Sequence, residues 1–417
     1  MQGTGGFVVT DEMRKILSRP GLLKAFSGGQ RLRNLYRQQS TGFDPQLLDE
    51  FALDCYLGFH DKVKQMVDSG RAPDLTGTET PYDFGYATLL IAGAQRAIHR
   101  PAETDYPATL KFLLDSGAPP NIPDIVGHSA LQHATMNHMA RLGLSRILLE
   151  HGADPNHRNR YGEVALLMAF QNNQYEAVDL LMGFGADLDI PEADGHTPAQ
   201  VFLTCGPQVT AAVRKWMRRR AGEQAPMDEK KCDGCRKTGI SLKLCSRCHA
   251  ARYCTTDCQR AHWKAHKPSC HPFDASNTVV VQPRYKDIGK LRSTPDIVRQ
   301  MIGIETGPVP KSHQRSAHAP RVRPDVGKAL TVKVQVPFDP FGLQPENAVS
   351  GDLLVYTKKR DFVCMIVRSD DPVAYDRVMG AVRMKGVGGA KAYFPAELLS
   401  KEKLVIKVGE VLAEQPF

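Results

Sequence analysis

Seven cysteines and one histidine lie at close, regular spacing between Cys232 and Cys270, and this series constrains the fold more than any other feature of the chain. Their order is Cys232-x2-Cys235-x9-Cys245-x2-Cys248-x5-Cys254-x3-Cys258-x7-His266-x3-Cys270. Thiolate sulfur and imidazole nitrogen are the ligands that Zn²⁺ prefers, and two tetrahedral structural sites need eight of them. The spacing therefore predicts a small domain that folds around two zinc ions.

Disulfide bonds are the alternative interpretation of these cysteines. A disulfide framework belongs to secreted chains, and residues 1–6 show no basic segment followed by an apolar one, as a signal peptide would. No run of residues approaches eighteen apolar positions, so no membrane span is predicted. We therefore expect an intracellular protein, cytoplasmic or nuclear or both, whose cysteines bind zinc.

A second pattern repeats upstream of the cysteines with a period of about 33 residues. The segment Leu148-Leu149-Glu150-His151-Gly152-Ala153-Asp154 has counterparts at Gly117 and Gly185, which are 35 residues earlier and 33 residues later. Ten residues after each of these glycines comes another: Gly127, Gly162 and Gly195. A glycine that ends a helix, followed by a turn and a new helix start, predicts stacked pairs of helices. A generic helical domain is the alternative.

This pattern resembles the ankyrin repeat and is assigned to residues 46–220. It indicates four repeats and a degenerate fifth after Gly195, with an insertion near Arg96–Tyr106. One repeat cannot bury its apolar face alone, so the repeats are expected to stack into an α-solenoid. The resemblance implies a surface that binds protein partners.

The cysteine segment resembles the MYND finger. The matching residues are Cys245 to Cys254, then Cys254-Thr255-Thr256-Asp257-Cys258-Gln259, Trp263, His266 and Cys270. In that family the two sites interleave. The resemblance thus implies one zinc on Cys232, Cys235, Cys254 and Cys258, and another on Cys245, Cys248, His266 and Cys270. The RING finger is the nearest rival, but it usually ends in a Cys-x2-Cys pair.

Three other histidines lie near the ligands. His262 falls in the same predicted helix as His266, which holds the family's ligand position. His249 and His271 lie outside the pattern and are expected to be solvated. Eight ligands for two ions leave no open coordination position, so both zincs are expected to be structural.

The resemblance also implies that the finger binds short proline-containing peptides, often as an added strand. Ser246, Gln259 and Trp263 would then contact the peptide. For Trp263 the alternative is a hydrophobic plug that only packs the finger.

The remaining segments have less distinctive patterns. Residues 1–45 predict a helical and basic extension, with a helix near Glu12–Phe26 and a flexible connection around Arg31–Arg37. Residues 271–327 predict a linker with short elements, among them a strand at Thr278–Val281 and a helix at Thr294–Ile302. Residues 328–417 predict a small α+β domain with alternating strands and one helix that starts at Pro372.

Together these features predict a multidomain, zinc-binding adaptor for protein–protein interaction without catalytic residues. Two alternatives remain. One is a nuclear regulator that contacts nucleic acid through a basic patch, because residues 211–270 carry 15 Lys and Arg against 5 Asp and Glu. An enzyme with activity in residues 328–417 is the other, although Gly386–Lys391 lacks the phosphate-loop pattern.

Overall fold

A computed structural model of the protein describes residues 3–97, 101–136, 141–223, 225–286, 308, 317–322, 327–337 and 351–415. The chain divides into two compact units, Met1–Cys205 and Gly206–Phe417. The helix predicted at Thr294–Ile302 lies outside the described residues, as does most of the predicted linker around it.

The first unit consists of paired helices. Its helices are α1 (Asp11–Leu17), α2 (Gly29–Gln39), α3 (Glu50–Leu57), α4 (His60–Asp68), α5 (Tyr86–Arg96), α6 (Tyr106–Asp115), α7 (Ala130–Thr135), α8 (Leu142–Glu150), α9 (Ala165–Gln171), α10 (Tyr175–Gly183) and α11 (Pro198–Val201). Short 3₁₀ turns lie at Ala25–Ser27, Ser40–Gly42, Pro45–Leu47 and Phe202–Thr204. The pairs α3–α4 to α9–α10 are the four predicted repeats, and the single turn α11 is the degenerate fifth.

Local sequence explains where the repeat helices start and stop. At α7, the Ser129 hydroxyl accepts from the Gln132 N–H while the Gln132 side chain accepts from the Ser129 N–H. Such a capping box satisfies two of the free donors of a helix start. After α8 the chain reverses at Gly152 with φ +85°, the left-handed conformation that glycine adopts most readily. The predicted position of Gly152 at a helix end is confirmed.

The loops between repeats are joined by a ladder of backbone hydrogen bonds. Each loop donates one N–H to a carbonyl of the preceding loop. The three bonds run from Ile125 to Tyr82, from Arg160 to Val126 and from Ala193 to Tyr161, at 3.0, 2.9 and 2.8 Å. Gly127 and Gly162 sit at these crossings, and a Cβ there would lie 3.0 and 2.9 Å from backbone nitrogen of the next loop. The glycine series therefore allows the loops to stack closely.

The N-terminal extension packs on these loops. The expected helix from Glu12 to Phe26 is shorter than predicted, because α1 ends at Leu17. The segment around Arg31–Arg37, predicted to be a flexible connection, instead forms the helix α2, which buries Leu32 and Leu35.

Polar contacts attach this extension to the repeats. Arg33 forms an ion pair with Glu163 at 3.0 Å, and Tyr36 donates a 2.7 Å hydrogen bond to Asp124. The Leu23 N–H donates to the Arg160 carbonyl at 2.8 Å, which adds the extension to the loop ladder.

The second unit begins with a helix and ends in a curled antiparallel sheet. Its helices are α12 (Pro207–Arg220), α13 (Thr256–His266) and α14 (Pro372–Lys385), with a 3₁₀ turn at Lys267–Ser269. Its strands are β1 (Lys243–Leu244), β2 (Arg252–Tyr253), β3 (Val279–Val281), β4 (Lys328–Gln335), β5 (Leu353–Tyr356), β6 (Val363–Ile366), β7 (Lys391–Ser400) and β8 (Lys403–Ile406). The pair β1–β2 belongs to the finger, and the other six form one sheet in the order β3-β8-β7-β4-β5-β6.

Alternation of side chains divides the sheet into two faces. In β4, Leu330, Val332 and Val334 point into a core that includes Val378 and Val382 of α14. The intervening side chains point to the opposite face. The predicted strands and helix of the C-terminal domain are therefore present, with the hairpin β5–β6 in antiparallel register.

Two boundaries differ from the expected ones. Helix α12, assigned above to the repeat array, falls in the second unit, where Arg218 pairs with both Asp228 and Glu414. Strand β3, assigned to the linker, pairs with β8 and is an edge strand of the C-terminal sheet. The contact of Arg218 with Glu414 and the pairing of β3 with β8 join residues that are far apart in the chain, so a local sequence pattern cannot predict them.

Candidate metal centre and peptide surface

The eight predicted ligands lie in two groups of four. One group holds Cys232, Cys235, Cys254 and Cys258, and the other holds Cys245, Cys248, His266 and Cys270. Within each group, the potential ligand atoms lie within 4.8 Å of one another. All ten cysteines of the chain are free of disulfide bonds. The structure thus groups these eight residues in the interleaved order that the MYND resemblance implies.

The distances within each group fit tetrahedral zinc. Sulfur atoms 2.3 Å from one zinc stand about 3.8 Å apart, and a sulfur and an imidazole nitrogen stand about 3.5 Å apart. The Sγ of Cys254 lies 3.7 Å from that of Cys235 and 3.4 Å from that of Cys258. The Cys248 Sγ lies 3.5 Å from Nε2 of His266. The donor atoms and their spacing therefore fit the metal that the sequence predicts.

Short elements deliver the ligands. The strand β2 ends just before Cys254, and α13 carries Cys258 in its first turn and His266 at its end. The Thr255 hydroxyl caps α13 by accepting from the Cys258 N–H at 3.1 Å. Gly234 lets the first loop approach α13, because a Cβ there would lie 2.7 Å from the Cys258 carbonyl oxygen.

Electrostatics within the groups favour a bound dication. Burial raises the pKa of Cys232, but backbone N–H groups outweigh it and lower this pKa to about 6. The hydrogen bond with Cys258, together with burial, raises the pKa of Cys254 to about 12. Burial and the charges of Cys248 and Cys245 raise the pKa of Cys270 to about 12. Several thiolates cannot ionise together without a cation, and metal binding supplies one as it displaces their protons.

The neighbouring histidines take other roles. His262 lies outside both groups, with its Nδ1 3.1 Å from the Tyr253 hydroxyl. His271 is exposed as expected. The expectation that His249 is solvated is wrong: it is 5% exposed, with its ring 4.9 Å from that of Phe273 and its Nε2 3.4 Å from Glu397. Burial lowers the pKa of His249.

His249 is buried because the finger packs on the C-terminal sheet. The cysteines Cys232, Cys245 and Cys248 share one hydrophobic cluster with Tyr393 of β7 and Leu412 of the C-terminal tail. Lys407, only 1% exposed at its side chain, donates to the carbonyls of Cys248 and His271. Sequence reasoning missed this interface, and the only signal was the regular alternation that puts Tyr393 and Lys407 on the sheet face opposite the core.

The three predicted peptide contacts lie outside both ligand groups. Ser246 is exposed, and Gln259 and Trp263 are partly exposed. The Arg247 guanidinium lies 5.9 Å from the centre of a Trp263 ring, within cation–π range. Among the described residues, strand β1 pairs with β2 alone, so its other edge has no strand partner.

Part of the basic patch is paired with acidic residues. Arg214 and Arg218 both bind Glu414, Arg218 also binds Asp228, and Arg219 and Lys231 bind Glu229. These ion pairs reduce the charge that could attract a phosphate backbone.

Comparison with known proteins defines two kinds of module in the chain. The family model for ankyrin repeats matches three copies over residues 98–192, and the model for the MYND finger matches residues 232–270. The chain therefore contains ankyrin repeats followed by a MYND zinc finger.

Individual relatives share one module each. Histone-lysine N-methyltransferase ASHR1 of Arabidopsis thaliana is 48% identical over 42 residues, which is 10% of this chain and 8% of that protein. A putative ankyrin repeat protein of Fowlpox virus is 32% identical over 102 residues, 24% of this chain and 17% of the viral protein. Ankyrin repeat domain-containing protein 37 of Xenopus tropicalis is 32% identical over 98 residues, 23% of this chain and 59% of that protein.

The chain thus spans between 8% and 59% of the length of these relatives. Matches to SET and MYND proteins cover only the finger, and neither the finger nor the ankyrin repeats are themselves enzymatic. In the described part of the chain, no helix is long and apolar enough to cross a membrane.

Proposed function

We propose that this protein is an adaptor whose MYND finger holds two structural zinc ions and binds proline-containing peptides. The ankyrin repeats would supply a second surface for a protein partner. The observation that carries the peptide site is that Ser246, Gln259 and Trp263 are at least partly exposed. The eight predicted ligands, in contrast, face one another within two groups of four.

Both zinc ions have a structural role in this proposal. Each group offers four protein ligands, whereas a catalytic zinc keeps an open position for water or substrate. Because the ligand thiolates must be reduced, the proposal places the protein in the cytoplasm or the nucleus.

The peptide would bind by strand addition beside Trp263. The free edge of β1 offers backbone donors and acceptors, and such edge pairing supplies affinity without sequence preference. Specificity would come from the indole face of Trp263, against which a proline ring can pack, and from the amide of Gln259. Arg247 beside the indole would favour peptides with an acidic residue next to the proline.

A set of finger variants tests the peptide site. Binding of the full-length protein to an array of proline-containing peptides is measured, together with its zinc content. Gln259→Ala and Ser246→Ala should weaken binding at least several-fold while zinc remains at two ions per chain. Lys264→Ala, an exposed change on the same helix α13, is the matched control and should bind normally.

The outcomes separate recognition from folding. If Gln259→Ala and Ser246→Ala both bind every peptide like the wild type, the finger is a structural spacer and the proposed peptide site is wrong.

The salt dependence of binding distinguishes a peptide partner from nucleic acid. A phosphate-driven contact weakens steeply with salt, whereas strand addition to an apolar groove should change little.

A further inference from the structure

Three side chains of types that commonly bind metal ions lie together in the ankyrin unit. Asp124 and His128 belong to the loop before α7, and His133 lies within α7. One ligand atom from each residue lies within 4.8 Å of the other two. Their side chains are 0%, 10% and 13% exposed, so the group is buried. The MYND resemblance and the ankyrin pattern assign no role to this group.

The two carboxylate oxygens of Asp124 have different tasks. Oδ1 accepts from the N–H groups of Val126 and His128 at 3.0 and 2.8 Å and so forms the loop. Oδ2 faces the histidines, 3.0 Å from Nε2 of His133 and 3.6 Å from Nδ1 of His128. The Tyr36 hydroxyl also donates to Oδ2 at 2.7 Å.

The next repeat shows that loop formation does not require a carboxylate. Asn159, 35 residues after Asp124, accepts from the N–H groups of Tyr161 and Glu163, both at 2.9 Å, through its single amide oxygen. The positions equivalent to His128 and His133 hold Glu163 and Met168. The fifth repeat has a carboxylate and a histidine at the first two positions, Glu192 and His196, but Val201 in place of His133. Among these repeats, the combination of a carboxylate with two histidines therefore occurs only in the repeat of Asp124.

His128 points to a missing partner. Its Nδ1 is buried and has no hydrogen-bond partner among the described residues. A buried polar atom without a partner destabilises the folded protein. A cation between this nitrogen and Oδ2 of Asp124 would give the nitrogen a partner.

We propose that Asp124, His128 and His133 bind a divalent transition metal, with zinc as the first candidate. Two imidazoles and one carboxylate are a common ligand set for such ions. Ligand atoms about 2.0–2.1 Å from a tetrahedral zinc stand roughly 3.3 Å apart. The distances of 3.0 and 3.6 Å from Oδ2 to the two histidine nitrogens bracket this value.

The surroundings suit a cation held under the N-terminal extension. The phenol of Tyr36 would remain a hydrogen-bond donor to the ligating carboxylate, as partners of metal ligands commonly are. A second acidic group, Asp83, is close enough for Asp124 to raise its pKa, after the larger effect of burial. Arg96 carries a positive charge that opposes a cation here. Burial is the main cause of the lowered pKa of His133, and the charge of Arg96 adds to it. Three protein ligands leave one coordination position for water.

Metal counting on the full-length protein tests this site. The protein is equilibrated with zinc, passed through gel filtration and analysed by mass spectrometry of its metal content. We expect three ions per chain for the wild type and two for His128→Ala and His133→Ala. His196→Ala is the matched control, because His196 follows Gly195 as His128 follows Gly127 but is exposed. It should keep three.

Asp124→Asn separates a metal site from a hydrogen-bond network. The amide can still form the loop as Asn159 does, so the repeat should fold, but the third ion should be lost. Cobalt provides a second readout. A nitrogen and oxygen site adds visible absorption without the sulfur-to-cobalt band of the finger, and Asp124→Asn should remove only that part. Two ions in the wild type, or three in Asp124→Asn, would overturn the proposal.

Discussion

The ammonium group of Lys407, in the residue after strand β8, lies 3.4 Å from the main-chain carbonyl oxygen of the zinc-ligand candidate Cys248. The same ammonium donates to the His271 carbonyl and forms an ion pair with Glu410, both at 2.5 Å. One buried cation therefore joins the finger, the segment that leaves it and the C-terminal tail.

Replacing Lys407 should destabilise the second unit. Lys407→Met keeps much of the side-chain volume but leaves Glu410 and two carbonyls without their donor. Breaking one partner of a buried ion pair costs about 3–5 kcal/mol. Both tryptophans, Trp216 and Trp263, lie in this unit, so denaturant unfolding followed by tryptophan fluorescence measures the loss.

Lys403→Met is the control for this prediction, because Lys403 is exposed at the start of strand β8, which Lys407 follows. It should change the free energy of unfolding by less than about 0.5 kcal/mol, as surface substitutions usually do. Equal effects of the two substitutions would show that the contacts of Lys407 contribute little.

Loss of a zinc ligand should weaken the C-terminal sheet as well as the finger. Structural zinc contributes on the order of 10–16 kcal/mol to small finger domains, and here Tyr393 of β7 packs in the finger's own cluster. Cys258→Ser should therefore increase hydrogen exchange in β7 and β8. Cys205→Ser, which lies outside both ligand groups, should leave that exchange unchanged. A sheet with wild-type protection in Cys258→Ser would show that it folds without the finger.

Coordination chemistry and repeat geometry explain why the finger and the repeats could be predicted. Zinc restricts its ligands to few residue types at short spacings, so Cys254 and Cys258 indicate their role by sequence alone. A left-handed turn restricts Gly152 in the same way, since few other residues adopt φ +85° at low cost.

Contacts between distant segments could not be predicted in this way. Lys407 lies on the sheet face opposite the core, where a lysine usually meets water, but it is buried and contacts the finger, His271 and Glu410. Strand β3 pairs Val279 with Ile406, more than a hundred residues later. Helix α2 begins with Gly29, a poor helix former, and its Arg33 and Tyr36 contact Glu163 and Asp124, which lie far along the chain.

Gly152→Val should destabilise the repeats through backbone strain alone. No atom lies within 4 Å of a Cβ built at this position, so the left-handed φ is the whole cost. We expect a loss of about 1 kcal/mol or more, measured by thermal unfolding with circular dichroism. Gly143→Ala is the contrasting control, since Gly143 lies in α8 with ordinary helical φ and open space. It should be neutral or stabilising by up to about 1 kcal/mol.

Tyr36→Phe should loosen the N-terminal extension without unfolding the repeats. The ring would keep its stacking on Tyr82, at 4.8 Å between centroids, but the hydrogen bond to the buried carboxylate of Asp124 would be lost. Hydrogen bonds to charged groups contribute about 1.5–3 kcal/mol, so α2 should exchange its amide hydrogens at least tenfold faster. Arg37→Ala, one residue later and exposed, should leave this exchange unchanged. If Tyr36→Phe exchanges at the wild-type rate, then Leu32, Leu35 and the ion pair of Arg33 hold the extension by themselves.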